Sequence, residues 1–189
     1  MILLRHAEVE EKYHQKYNGH IDIGLSAQGY KEASQLAQYF NKHSFDAVFC
    51  SDLVRAKETL KPFKQYEQAV FCKELREKSW GVHEGLGFEE IVSKYNLNYE
   101  NFEQWINALD GEDYECYIQR VEDFFIHSLF KKEYANVLVL THAGIIRILM
   151  KILLNLSLEE AFSEKIPYSG YIEYNTKLKT FSKVKCNFR

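Results

Sequence analysis

The stretch NVLVLTHAGIIRILMKILL, Asn136 to Leu154, carries the reading that decides the fold. Val137 to Leu140 is an unbroken aliphatic run of strand length, and Thr141 and His142 follow it with polar groups. Ala143 and Gly144 then lead into an amphipathic helical pattern. A strand that is apolar without alternation is covered on both faces, as the strands of a parallel sheet are.

The same order recurs twice upstream. ILLRHA, Ile2 to Ala7, places Arg5 and His6 directly after an aliphatic strand. DAVFCSDLVRAKETL, Asp46 to Leu60, reads as a strand from Ala47 to Cys50, with Ser51 or Asp52 capping a helix that carries Arg55 in its first turn. Between these two, LSAQGYKEASQLAQYF supplies a crossover helix capped by Ser26, with Leu25, Tyr30, Ala33, Leu36, Ala37 and Phe40 close to one face. The C-terminal GYIEYNTKLKTFSKVKCNF holds two extended segments around Asn175 and Thr176, a hairpin or paired edge strands that complete the sheet. Strands alternating with helices in this way indicate an α/β fold with a parallel sheet covered by helices on both faces.

At 189 residues, 46% hydrophobic and 27% charged, the chain reads as one folded domain over 1–189. A net charge of -3 supplies no basic field of the kind a dedicated nucleic-acid binder shows. Cys50, Cys72, Cys116 and Cys186 form no C-x-x-C pair, which suits a reducing, cytoplasmic setting and suggests neither a zinc knuckle nor a redox motif. The longest apolar-rich stretch, Ala143 to Leu156, contains Arg147 and Lys151, so no membrane segment is expected. From Glu84 to Asp123 eleven acidic residues face two basic ones, with aromatic residues interleaved. This region, about 84–123, reads as an acidic, aromatic helical insertion, either a solvated layer whose aromatics pack inward or, in part, a lid over the site.

In open parallel sheets ligands bind beyond the carboxyl ends of the strands, where the three junctions deliver their polar residues. Arg5, His6, Arg55 and His142 are therefore expected to converge. Helix N-termini there favour an anion, and two arginine forks match phosphate oxygens. Beside a bound phosphate, an imidazole that is neutral near pH 7 can attack phosphorus, which makes His6 a candidate nucleophile. A leaving alkoxide needs a proton, and KELREKSWGVHEG offers Glu74, Glu77 and Glu84, among which composition does not choose. Two histidines and a glutamate also suit a metal, but Arg5 and Arg55 would repel a dication, so no metal and no cofactor is expected. His14, His43 and His127 read as structural, as do His20 and His83 unless they lie behind the site.

Taken together, LLRHAE, NGHIDIGLSAQG, SDLVRAKET, LREKSWGVHEG, GEDYECYIQRV and THAGIIR, in that order along nearly the whole chain, resemble the histidine phosphatase superfamily, the phosphoglycerate-mutase-like enzymes. The resemblance implies a three-layer α/β/α sandwich with a mostly parallel central sheet. It implies that His6 is the phosphorylated nucleophile, that Arg5 and Arg55 are phosphate ligands and that His142 is the second histidine of the phosphate pocket. It selects Glu77 as proton donor and adds Asn18 as a further phosphate-side residue, with no metal required. Ala7, Gly24, His83 and Asp113 depart from the commonest pattern of the superfamily without removing any of these groups.

The expected activity is metal-independent hydrolysis of a small-molecule phosphomonoester through a phosphohistidine on His6. The NGHIDIGLS loop and compact length are similar to the branch containing α-ribazole phosphatase. One alternative is a cofactor-dependent phosphoglycerate mutase. Against it, the chain has EKSWG where those mutases resemble one another in ERHYG, lacks their extra basic residues for a second phosphate, and carries an acidic middle segment that would repel a bisphosphate. A second alternative is a non-catalytic phospholigand-binding module. Physiological substrate and oligomeric state are left open by the sequence.

Overall fold

A computed structural model describes residues 1–186. Its six-stranded sheet has β1 (Ile2–Arg5), β2 (Ala47–Ser51), β3 (Val70–Cys72), β4 (Val137–Thr141), β5 (Tyr171–Asn175) and β6 (Thr180–Phe181) in the order β3-β2-β4-β1-β5-β6. The first four of that order run parallel, while β5 and β6 are antiparallel. The C-terminal hairpin thus completes the sheet beside β1, which makes the sheet mixed and mostly parallel.

Alternation along the strands builds two cores. Leu4, Val48, Cys50, Leu138 and Leu140 face one side, where α1 (Ala27–Phe40) contributes Leu36, Ala37 and Phe40, and α2 (Val54–Leu60) contributes Ala56 and Leu60. Leu3, Val137 and Val139 face the other side. There α5 (Tyr114–Glu122) and α6 (Ala143–Leu154) pack, joined by α3 (Phe88–Tyr95), α4 (Phe102–Ala108) and α7 (Leu158–Ser163). The result is the three-layer α/β/α arrangement. In α6 the buried Ile145, Ile146, Ile148 and Leu149 each contribute about 1.5–3 kcal/mol by leaving water, so the helix following His142 is firmly seated.

Two local expectations are corrected. Tyr30 is 48% exposed on α1, and its hydroxyl donates to Glu58; the inward position goes instead to Glu32, whose carboxylate accepts from Glu8 N–H and the Ser169 hydroxyl. A buried acid costs little when specific donors meet it, and those donors come from other elements. Likewise neither Ser51 nor Asp52 caps α2: Leu53 holds the cap position and Val54 N–H donates to Asp22. Asp52 is turned to a bidentate pair with Arg76, at 2.6 and 2.7 Å.

Helices α3, α4 and α5 occupy the acidic, aromatic segment. Trp105, Tyr114 and Tyr117 are buried, whereas Phe88 and Tyr99 remain partly outside.

Candidate active site

The strand register brings the key side chains together. Arg5 pairs with Thr141 across β1 and β4, so His6 and His142, each next in sequence, leave the sheet side by side with ring centroids 5.1 Å apart. On the other flank of β4, Cys50 pairs with Leu140, which sets Ser51 against His142. Here β4 lies between β1 and β2, and a cavity of about 340 Å³ opens at the strand ends. Arg5, His6, Asn18, Arg55, Glu77 and His142 all line it.

His6 is 5% exposed, and its Nδ1 donates to the Ala7 carbonyl at 2.8 Å. A carbonyl only accepts, so the proton is assigned to Nδ1 and Nε2 keeps its lone pair. Burial, then Arg55, then Arg5 push the His6 pKa well below the usual histidine range, which keeps the ring neutral. His142 is displaced in the same direction by burial first and Arg55 next. Its Nε2 meets the Ser51 hydroxyl at 2.8 Å, and its Nδ1 is buried without a partner.

Arg55 is held by three main-chain carbonyls, of Ile21, Asn18 and Gly19, at 3.0, 3.1 and 2.7 Å. The same loop gives its N–H groups to Glu84, which accepts from Gly19, His20 and Ile21 as well as Trp80. A cation on one side and an anion on the other therefore clamp one loop. At Gly19 a Cβ would run into the Lys78 carbonyl and the Glu84 carboxylate, so a glycine is needed for that approach. Burial lowers the Arg55 pKa to about 10, still far above neutrality. Arg5 donates to the Ile166 carbonyl at 2.6 Å and lies 4.0 Å over the Tyr168 ring, while its Nε is buried and unpaired.

Of the three acids offered by the sequence, only Glu77 lines the cavity. Its Oε1 accepts from the Tyr117 hydroxyl at 2.7 Å and Lys78 N–H at 3.0 Å, and its Oε2 from Gly144 N–H at 2.9 Å. A Cβ on Gly144 would strike the carboxylate, so a small residue at the start of α6 admits Glu77 to the helix N-terminus. Glu84 is the loop clamp just described. Glu74 contributes a main-chain carbonyl that accepts from Arg120.

Asn18 reaches the cavity in an unexpected role. Its Nδ2 donates to the Tyr13 carbonyl at 2.6 Å and its own carbonyl holds Arg55, leaving Oδ1, an acceptor, as the unpaired atom. His20 stands behind Glu77, with Nε2 3.0 Å from the Glu77 carbonyl. His83 is packed edge-on against Tyr95 and accepts from Asp110 N–H, away from the cavity.

Sequence reading missed Lys78, Arg147 and Tyr117. Lys78 is almost fully buried, with Nζ 4.4 Å from the Trp80 ring, and Arg147 lies 5.3 Å over the Phe162 ring; both line the cavity. The signal for Arg147 was present as one of two cations, with Lys151, inside a mostly apolar helix, beyond His142 in THAGIIR. These two add positive charge to the cavity beyond Arg5 and Arg55. The repulsion expected from the acidic segment is corrected. It presents Phe102, Trp105, Ile106, Tyr114 and Tyr117 to the cavity, and Glu77 is the one acid among the described lining residues. Amphipathic helices turn their carboxylates to water and their apolar face inward, so the charge of the segment is not the charge of its wall.

Among the described residues no group of three or more His, Cys, Asp or Glu side chains is gathered as a metal site requires. None of the described helices is long and apolar enough to cross a membrane.

The chain is similar to known proteins in sequence and in fold. The chain is 28% identical over 185 residues to the adenosylcobalamin/α-ribazole phosphatase of Escherichia coli (strain K12), covering 94% of this chain and 91% of the relative. It is 29% identical to phosphoserine phosphatase 1 of Hydrogenobacter thermophilus, with 86% and 80% covered. The crystal structure of the α-ribazole phosphatase from Shigella flexneri superposes with a TM-score of 0.78 at 26% identity, over 96% of this chain and 93% of that one. Since the model of the histidine phosphatase superfamily, branch 1, matches residues 1–188, the chain belongs to that family of phosphoric monoester hydrolases.

Proposed function

We propose that the protein is a metal-independent phosphomonoesterase working in two steps through a phosphohistidine on His6. The observation that carries this reading is the His6 ring: Nδ1 is committed to the Ala7 carbonyl, so Nε2 is the free nucleophile, beside Arg5 and Arg55. Nε2 attacks phosphorus and the P–O ester bond breaks. The departing alkoxide takes a proton from Glu77, and in the second step Glu77 takes one from the water that cleaves the P–N bond and releases phosphate. Oε1 of Glu77 already accepts twice and Oε2 once, which leaves Oε2 as the oxygen to carry that proton. Arg5, Arg55 and His142 stabilise the phosphoryl oxygens, with Asn18 acting through its hold on Arg55.

For the substrate, the aromatic walls of Trp80, Trp105 and Phe102 and the similarity to α-ribazole phosphatases favour a phosphomonoester with a planar aromatic body. A second reading is favoured by Lys78 and Arg147, which suit a small phosphomonoester bearing a carboxylate, as phosphoserine does. Release of inorganic phosphate from a panel containing both classes, with EDTA present, tests the proposal in wild type and His6→Ala. Turnover that survives chelation and vanishes with His6 is expected. Activity lost to EDTA, or retained by His6→Ala, overturns the mechanism. Isomerisation of phosphoglycerates without hydrolysis would make the protein a mutase, and binding without turnover a phospholigand module.

A further inference from the structure

We propose that Ser51 is a positioning residue that donates its hydroxyl proton to His142 Nε2, fixes the ring proton on Nδ1 and so makes a neutral histidine a hydrogen-bond donor to the phosphoryl group. This rests on reading the cavity as a phosphate site. The Ser51 hydroxyl has few partners. Ser51 is fully buried at the end of β2, and its Oγ lies 2.8 Å from His142 Nε2 and 3.4 Å from Leu53 N–H. The Leu53 amide can only donate, so Oγ accepts there. Among the described residues His142 Nε2 is then the acceptor left for the single hydroxyl proton.

That direction settles the ring. A neutral imidazole carries one N–H, and if Nε2 accepts, Nδ1 holds the proton. Nδ1 is buried and unpaired, on a residue that lines the cavity between Arg5, Arg55 and His6. An unpaired acceptor there would repel a phosphoryl oxygen, whereas an N–H would bind it. Desolvation first, then the surrounding cations, push the His142 pKa well below the usual histidine range, and in a neutral ring the tautomer decides between attraction and repulsion. The neighbouring histidine uses the opposite device: His6 Nδ1 faces a carbonyl, which cannot donate. A hydroxyl can point either way, which is why the Leu53 amide matters.

The test is long-range proton–nitrogen correlation NMR on uniformly nitrogen-15-labelled protein at neutral pH. In wild type His142 is expected to show a pyrrole-type Nδ1 and a pyridine-type Nε2, with His6 as an internal reference protonated on Nδ1. Ser51→Ala is expected to convert the His142 signals to the other tautomer or to a mixture, to leave His6 unchanged and to lower kcat about 10- to 100-fold. Ser51→Thr, which keeps the hydroxyl, is expected to restore both. A wild-type His142 protonated on Nε2, or an unchanged tautomer in Ser51→Ala, overturns the proposal, and the wild-type spectrum decides this even where a variant fails to fold. Titration with inorganic phosphate separates the two layers. If neither ring responds to phosphate, the phosphate reading of the cavity falls and the donor loses its target. If both respond but the tautomer is reversed, only the part assigned to Ser51 falls.

Discussion

His6 ends β1 and His142 ends β4, two adjacent parallel strands, and both rings are buried, neutral and followed by alanine. Their fixed nitrogens are opposite. His6 is tied through Nδ1 to a carbonyl of the next residue, while His142 is tied through Nε2 to a hydroxyl from the neighbouring strand. On the proposed tautomers one ring offers a lone pair and the other an N–H. In the proposed mechanism two copies of one local grammar serve as nucleophile and as ligand, because the partner of the bonded nitrogen, rather than the histidine itself, sets the role.

The sharpest way to break this comparison is to remove each ring in turn. His6→Ala is expected to lower kcat on the order of 10⁴-fold or more, since no other described group in the cavity takes over a covalent step. An alkaline, denaturing quench of labelled substrate, which spares the acid-labile P–N bond, should trap phosphoenzyme in wild type and not in His6→Ala. Glu77→Gln is expected to cost about 10²–10⁴-fold with alkyl esters, and much less with a nitrophenyl ester whose leaving group needs no proton. His142→Ala is expected to lower kcat about 10²–10³-fold, the scale of losing one donor to a charged oxygen, while still forming phosphohistidine. Equal losses at His6 and His142, measured by steady-state and single-turnover kinetics, would erase the distinction between them.

Acid should act on both rings at once. Their folded pKa values lie well below the unfolded value of 6.5, so below about pH 6.5 the unfolded chain binds more protons than the native one. Stability therefore rises with pH across that window and is lost as pH falls through it, down to the depressed folded values. Urea unfolding at pH 7 and pH 5.5 checks the sign, and removing both rings should shrink the difference to the part due to His20 and His83, which burial also pushes down. The acid limb of kcat/KM due to His6 should likewise lie well below pH 6.5.

Two smaller effects sharpen the contrast between clamp and surface. Glu84→Ala strands four backbone N–H groups and is expected to cost on the order of 3 kcal/mol in chemical denaturation, together with weaker phosphate binding through Arg55. Tyr30→Phe removes only an exposed hydroxyl contact to Glu58 and should stay within about 0.5 kcal/mol.

What was legible in the chain by itself follows from short-range physics. Short apolar runs with β-branched residues, such as Val137–Leu140, read as doubly covered strands, and small or polar residues after them mark where a parallel sheet opens. The convergence of Arg5, His6, Arg55 and His142 was readable on that basis, as were the Ser26 cap and the C-terminal hairpin. Choosing Glu77 over Glu74 and Glu84 needed the family resemblance, because three acids in one segment look alike until their neighbours are known.

Only the tertiary structure decided the rest. Local pattern reports which face of a helix is apolar, but not which remote group meets a polar atom. Asp22 caps α2 in place of Ser51 or Asp52, Glu32 is buried in place of Tyr30, and Glu84 serves the loop around Gly19. Lys78 and Arg147 became cavity residues, and the acidic segment became an aromatic wall, for the same reason. The sequence determined where charge and nucleophile gather, since strand ends and helix starts follow from the backbone. The tertiary structure determined which nitrogen of each histidine is free, since that depends on a single hydrogen-bond partner within 3 Å, one of them on another strand.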